Sequence, residues 1–160
     1  MLEPDLKARI EAALEHYERP RAACIEVLQM VQERRRWISD QDLADVAEVL
    51  GMTVHELDDV ATFYNLIFRR PVGERVILLC DSVSCWIMGA YTIGRHLRDR
   101  LGIGFGGTTA DDRFTLLPIA CLGACDRAPV MIVGDQTHTH LTAERVDAVL
   151  EQPHGEAGDS

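Results

Sequence analysis

The first seventy residues carry apolar side chains at the three- and four-residue spacing that predicts amphipathic helices. Ser39 before the third apolar stripe, and Thr53 with Glu56 before the fourth, are typical signals for the start of a helix. We therefore predict a domain of four short helices over residues 1–70. The four stripes are Leu6, Ile10 and Leu14; Ile25, Leu28 and Val31; Leu43, Val46 and Leu50; and Leu57, Val60, Ala61 and Tyr64.

The pattern changes after the Arg70-Pro71-Val72-Gly73 break, where runs typical of strands begin. Arg75–Cys80 is a nearly continuous apolar run, as expected of a buried strand. The order β-α-β-β-β-α predicts a small α/β domain over residues 71–152, with helices packed on a sheet. The polar residues 153–160 are predicted to form a disordered tail. The later strands are predicted over 114–121, 130–133 and 137–141, and the helices over 86–101 and 142–150.

Three further groups of residues have structural interpretations. Thr62-Phe63-Tyr64 and Phe68 are predicted to fill the helical core, and Arg34-Arg35-Arg36 is predicted to be a solvated helix end. His138 and His140 alternate in a predicted strand, so both should lie on one face, as a surface or interface pair rather than as metal ligands. The bond before Pro129 can be cis or trans.

Charge and composition exclude several classes of protein. The 160 residues include 16 basic and 26 acidic side chains, for a net charge of −10, which argues against binding nucleic acid or anionic lipid through bulk charge. There is no apolar run long enough to span a membrane, and the amphipathic N-terminus does not resemble a secretory signal. We therefore expect a cytosolic protein whose five cysteines are reduced, metal-bound or catalytic.

Four of the five cysteines form two pairs, each beginning at the end of a predicted strand. The pairs are Cys80 with Cys85 in CDSVSC, and Cys121 with Cys125 in CLGAC. Four thiolates are a soft ligand set that selects zinc or an iron–sulfur cluster. The wide spacing favours a two-iron cluster, although zinc stays open and a redox disulfide is a third interpretation. Cys24 is expected to pack in the helical core.

The chain resembles a known family, that of the peripheral-arm [2Fe–2S] E subunit of bacterial NADH:quinone oxidoreductase, respiratory complex I, from about residue 16 to residue 150. Trp86 departs from the pattern, since relatives often place His there. The resemblance implies an α+β protein in which a helical bundle precedes a thioredoxin-like α/β domain that carries the cluster. It also implies that Cys80, Cys85, Cys121 and Cys125 are the ligands. The matching segments are DVATFYNLIFRRPVG, CDSVSC, RFTLLPIACLGACDRAPVMIV and THTHLT.

The function implied by this resemblance is electron transfer within an oxidoreductase complex. The chain would bind one [2Fe–2S] cluster and no other cofactor, would have no catalytic residue of its own, and would contact a subunit that holds FMN and NADH, together with other peripheral-arm subunits. It would lie in the cytoplasm at the inner face of the membrane, without inserting into it. The small subunits of NAD-linked formate dehydrogenases and bidirectional hydrogenases are similar too, and a zinc-stabilised interaction domain is the alternative from another class.

Polar groups beside the cysteines are candidates for tuning the reduction potential. Asp81 and Asp126 flank ligands, where a negative charge disfavours the addition of an electron, and Arg127 acts in the opposite direction. Hydrogen bonds to the sulfurs would stabilise the reduced state. The candidate donors are the side chains of Ser82 and Ser84 and the backbone N–H groups of Gly123 and Ala124.

Overall fold

The computed structural model describes residues 2–152, so the prediction of a disordered tail at 153–160 lies outside the described residues. The chain consists of two compact units, one ending at Val72 and the other beginning at Gly73. Among the described residues there is no helix with the length and apolar content needed to span a bilayer.

The first unit is a bundle of four helices. They are α1 (Pro4–Leu14), α2 (Cys24–Arg35), which follows a 3₁₀ turn, α3 (Asp40–Leu50) and α4 (Val54–Phe63). Both predicted start signals are confirmed: Ser39 caps α3 and Thr53 caps α4, each in a reciprocal capping box with the residue three positions later. The core buries most of the predicted stripe residues, although Ile25 is only half-buried and Tyr64 is exposed. Those nearly inaccessible to solvent are Leu6, Ile10, Leu28, Val31, Leu43, Val46, Leu50, Leu57 and Ala61, and Val27 joins them.

Asp42, the partner of Ser39 in the capping box, is a buried carboxylate that joins three helices. It accepts hydrogen bonds from the Ser39 backbone N–H at 3.0 Å and from the Ser39 hydroxyl at 2.6 Å. It also forms an ion pair with Arg35 on α2, whose guanidinium reaches Glu3 beside α1 at 3.0 Å. The prediction of a solvated basic helix end is therefore wrong for Arg35, although Arg34 and Arg36 are exposed.

The prediction that residues 62–64 fill the helical core is wrong. All three side chains are exposed, and Phe63 is 81% exposed. The buried face of α4 carries Leu57 and Ala61, and Phe63 follows Ala61 by two residues, so it projects from nearly the opposite side of the helix. Phe68, in the same prediction, is half-buried where the chain continues beyond α4.

Within residues 73–152, the second unit is a four-stranded mixed sheet with three α-helices. The strands are β1 (Arg75–Cys80), β2 (Phe114–Ile119), β3 (Met131–Val133) and β4 (Gln136–His138), in the order β2-β1-β3-β4. β1 runs parallel to β2 and antiparallel to β3. The helices are α5 (Val83–Ile87), α6 (Ala90–Leu101) and α7 (Ala143–Glu151). A bundle followed by this sheet confirms the predicted α+β class.

Two elements differ from the prediction because a residue adopts a left-handed backbone conformation, with positive φ, in each. The single helix expected over 86–101 is two helices, since Gly89 adopts φ +102° between α5 and α6. The last strand ends at His138, and His140 adopts φ +49°, so the two histidines do not alternate along one strand. The bond between Ala128 and Pro129 is cis.

Candidate metal centre

The two cysteine pairs begin at the same edge of the sheet. Cys80 is the last residue of β1, and Cys121 follows the end of β2 by two residues. The register sets Cys80 opposite Ile119 on the parallel neighbour. Parallel strands end at one edge, so the chain leaves the sheet at both pairs within one small region, and a rigid pair of strands fixes where the two loops start.

Cys80 and Cys85 form a buried pair. They are 1% and 2% exposed and pack in a small apolar cluster with Ala90, Ala124 and Val130. Burial, reinforced by a hydrogen bond with Cys80, raises the pKa of the Cys85 thiol to about 11. Without a cation beside it, this thiol stays protonated at neutral pH. A bound metal would supply the positive charge that the thiolate needs in this apolar setting.

Cys121 and Cys125 form an exposed pair, with their Sγ atoms 3.7 Å apart. The Gly123 backbone N–H donates to the Cys121 sulfur at 3.3 Å, as predicted for this donor. Gly123 adopts φ +76°, which lets the loop turn back toward its own first cysteine. A hydrogen bond with Cys121 raises the pKa of the Cys125 thiol, and a hydrogen bond with Ser84 opposes that rise.

The two pairs interact with each other. Ser84, from the first cysteine segment, bonds to Cys125 in the second, and the thiols of Cys80, Cys85 and Cys125 interact electrostatically. The donor set is therefore two pairs of thiols facing one region. A [2Fe–2S] cluster is held by four cysteine thiolates, two on each iron, and this donor set fits it. Within residues 2–152 no three His, Cys, Asp or Glu side chains are grouped as ligands for a single metal ion.

The other candidate residues lie outside this thiol set. Cys24 is half-buried against the core of the helical unit, close to the packing role predicted for it. His138 is half-buried, and burial, assisted by the positive charge of Arg75, lowers its pKa. His140 is exposed. Asp126 is also exposed, and its carboxylate lies 3.8 Å from Nε of Arg127.

Sequence reasoning missed an apolar cavity of about 160 Å³ beside Cys80. The sequence signal for an exposed apolar surface here was Trp86-Ile87-Met88 directly after Cys85, because three consecutive large apolar residues cannot all face the core. Of these three residues, Trp86 lines the cavity. The cavity is lined by Leu79, Cys80, Asp81, Trp86, Ala90, Tyr91, Gly94, Arg95, Arg98 and Phe105.

Comparisons with known proteins agree with the resemblance seen in the sequence. The sequence model of the thioredoxin-like [2Fe-2S] ferredoxin family matches residues 10–154. The chain is 46% identical to the E subunit of the NADH-quinone oxidoreductase of Pseudomonas aeruginosa over 91% of this chain and 87% of the relative. It is 49% identical to the protein of the same name from Escherichia coli K12, over 89% of this chain and 86% of the relative.

A solved structure shares most of this architecture. The crystal structure of an NAD⁺-reducing [NiFe]-hydrogenase in its air-oxidised state superposes with a TM-score of 0.70 and 27% identity. The match covers 81% of this chain but only 22% of the hydrogenase chain. The same architecture therefore occurs there as one part of a much longer polypeptide.

Proposed function

The chain belongs to the thioredoxin-like [2Fe–2S] ferredoxin family, and from that membership we propose that it is the electron-transferring E subunit of an NADH–quinone oxidoreductase. The observation that carries the proposal is the meeting of two thiol pairs at one sheet edge. Identity of 46–49% to proteins of that name, across nearly the whole of each chain, supports the same assignment.

In this proposal Cys80, Cys85, Cys121 and Cys125 hold one cluster per chain. A bound [2Fe–2S] cluster supplies one-electron chemistry. The thiols must lose their protons on binding, so binding is coupled to proton release. The N–H of Gly123 and the hydroxyl of Ser84 donate to sulfurs and stabilise added negative charge, while the apolar packing around the buried pair keeps water away from that side.

The remaining chemistry of the reaction belongs to partner subunits. We propose that FMN and NADH bind a neighbouring subunit, and that the complex holds this chain at the cytoplasmic face of the membrane. The hydrogenase match supports a close link with NAD chemistry, since that longer polypeptide belongs to an NAD⁺-reducing enzyme. The second candidate function is therefore that of the corresponding part of such a hydrogenase. Its 27% identity, against 46–49% for the quinone oxidoreductase proteins, ranks it below the first.

The proposal is tested on the full chain after anaerobic purification or reconstitution with iron and sulfide. We expect two irons and two sulfides per chain, visible absorption that bleaches with dithionite, and an EPR signal from the reduced protein. With the flavin-binding subunit added, NADH should reduce the same chromophore. A colourless protein with one zinc per chain would contradict the electron-transfer function and support the zinc-stabilised alternative.

The charge of Asp126 gives a first prediction about the reduction potential. Asp126→Asn should raise the midpoint potential, because it removes a negative charge beside Cys125 and leaves the charge of Arg127 uncompensated. The effect should be modest, since Asp126 is 79% exposed. A charge effect of about 0.5 kcal/mol at an exposed position corresponds to about 20 mV for a one-electron couple. A redox titration monitored by EPR measures it.

Asp135→Asn is the matched control for this prediction. Asp135 is exposed in the turn between β3 and β4, where Gly134 bonds to Val76 near the start of β1, at the opposite edge from Cys80. Asp135→Asn removes the same charge at a position far from the thiols, so the midpoint potential should stay within error of the wild-type value. An equal rise in both variants would show that net charge, rather than position, sets the effect.

A further inference from the structure

The sheet unit exposes an unusual set of large apolar side chains. They lie on α5, at the beginning of α6 and in the loop after α6, and α5 itself contains Cys85. Exposed apolar side chains gathered in one region are typical of an interaction site rather than of a free surface. The six residues, each 45–70% exposed, are Val83, Trp86, Ile87, Met88, Tyr91 and Phe105.

Three of these residues surround the cavity beside Cys80. Trp86, Tyr91 and Phe105 line it, and its volume is about 160 Å³. A protein cavity of about 150 Å³ with apolar walls accommodates benzene, so this one is large enough for one aromatic or leucine-sized side chain. We call it the docking cavity.

Gly94 keeps the wall of the docking cavity in place. A Cβ at this position would lie 3.2 Å from Cδ2 of Leu79 and 3.3 Å from Cζ of Phe105. Both contacts are tighter than ordinary packing, so a side chain here would require the Leu79 and Phe105 side chains to shift by a few tenths of an ångström. Glycine allows the Phe105 ring to pack directly against α6, while Phe105 remains 45% exposed to solvent.

Two arginines on α6 give the rim of the docking cavity a positive charge. Arg95 and Arg98 line the cavity and are exposed, and neither forms an ion pair within residues 2–152. Arg100 on the same helix, by contrast, pairs with Asp147 at 2.8 Å. Asp81 is the acidic residue in the lining. In a chain of net charge −10, two cations that face solvent beside an apolar cavity match a partner surface carrying carboxylates.

We propose that the docking cavity receives one aromatic or leucine-sized side chain, flanked by carboxylates, from the flavin-binding subunit. This inference rests on the proposed function, because it assigns a surface to the partner named there. Cys80 lines the cavity and is one of the proposed cluster ligands. A side chain anchored there would exclude water and bring the partner into contact with a ligand of the cluster. Buried anchors of this kind carry most of the affinity in protein interfaces.

The experiment uses the full chain with its cluster, co-expressed with a tagged flavin-binding subunit of the same complex. The Arg95→Glu/Arg98→Glu double variant and Tyr91→Ala should each reduce capture of the chain at least about tenfold, the effect expected of central interface residues. Both change exposed side chains outside the thiol set, so iron content should stay at the wild-type value. Arg19→Glu/Arg70→Glu, at exposed arginines of the helical unit, is the charge-matched control and should be captured like wild type.

The outcomes distinguish failure of the docking cavity from failure of the proposed function. If wild type and both variants are captured equally, the proposal that the docking cavity binds the partner is wrong, and the proposed function is unaffected. Failure to capture wild type that carries its cluster would contradict the proposed partner, and the docking proposal with it. Analytical ultracentrifugation of the chain alone tests a second copy as the occupant. A wild-type dimer that Arg95→Glu/Arg98→Glu dissociates, with capture unchanged, would also overturn the proposal.

Discussion

Cys85→Ala is expected to abolish stable cluster binding and to cost most of the iron and nearly all of the visible absorption. The reason is twofold. The variant removes one of the four proposed thiolate ligands, and it does so at a position that is 2% exposed, where no water or buffer ligand can easily take its place. Iron and sulfide analysis after identical reconstitution, together with the EPR signal of the reduced protein, measures the loss.

Cys24→Ala is the matched control, because it makes the same chemical change at the fifth cysteine. Cys24 packs against the helical core, so this variant should reconstitute like wild type and should lose only a little stability. Far-UV circular dichroism of Cys85→Ala should stay close to that of wild type if the sheet forms without the cluster. A full cluster in Cys85→Ala, or its loss in Cys24→Ala, would show that the ligand assignment is wrong.

Asp42→Ala should lower the free energy of unfolding by about 3 kcal/mol, the lower end of the range found when one partner of a buried ion pair is removed, because Arg35 is only half-buried. The variant leaves the Ser39 N–H without its acceptor at the start of α3. It also leaves the half-buried Arg35 without the carboxylate that lies between α2 and α3. Urea denaturation of the whole protein, followed by far-UV circular dichroism, measures the change.

Two further variants identify the cause of this destabilisation. Asp42→Asn keeps an acceptor for Ser39 but loses the charge that pairs with Arg35. Its free energy of unfolding should therefore lie between that of wild type and that of Asp42→Ala. Asp59→Ala removes an exposed carboxylate from α4 and should stay within about 0.5 kcal/mol of wild type. If Asp42→Ala is no less stable than Asp59→Ala, the carboxylate at position 42 does not hold these helices together.

The parts of the fold that local patterns determine were predictable from the sequence. The capping residues Ser39 and Thr53 act on backbone groups within three residues of themselves, and the apolar run ending at Cys80 carries its strand signal within six residues. The cysteine pairs could be assigned to strand ends because each pair begins where a locally recognisable strand pattern ends. The choice between zinc and iron could not be made from the four thiols, because both metals accept the same ligands.

Long-range contacts and interaction surfaces were less predictable. The prediction of a solvated helix end failed at Arg35 because its partners, Glu3 and Asp42, come from other parts of the bundle, which a local sequence pattern does not reveal. Phe63 was expected to follow the rule that large apolar residues are buried, yet it is exposed, as is Trp86. Hydrophobicity predicts that a residue leaves water, but not whether its own chain or a partner covers it.

The parallel pairing of β1 with β2 also sets an order of events during synthesis. Cys80 and Cys121 are separated along the chain by α5, α6, a long loop and β2, so no local segment contains both thiol pairs. The four proposed ligands come together only after β2 has paired with β1, a non-local step of the kind that slows folding. A nascent chain that ends before Cys125 contains at most three of the four proposed ligands, so under the proposed assignment the cluster is expected to be inserted only after this sheet edge is complete.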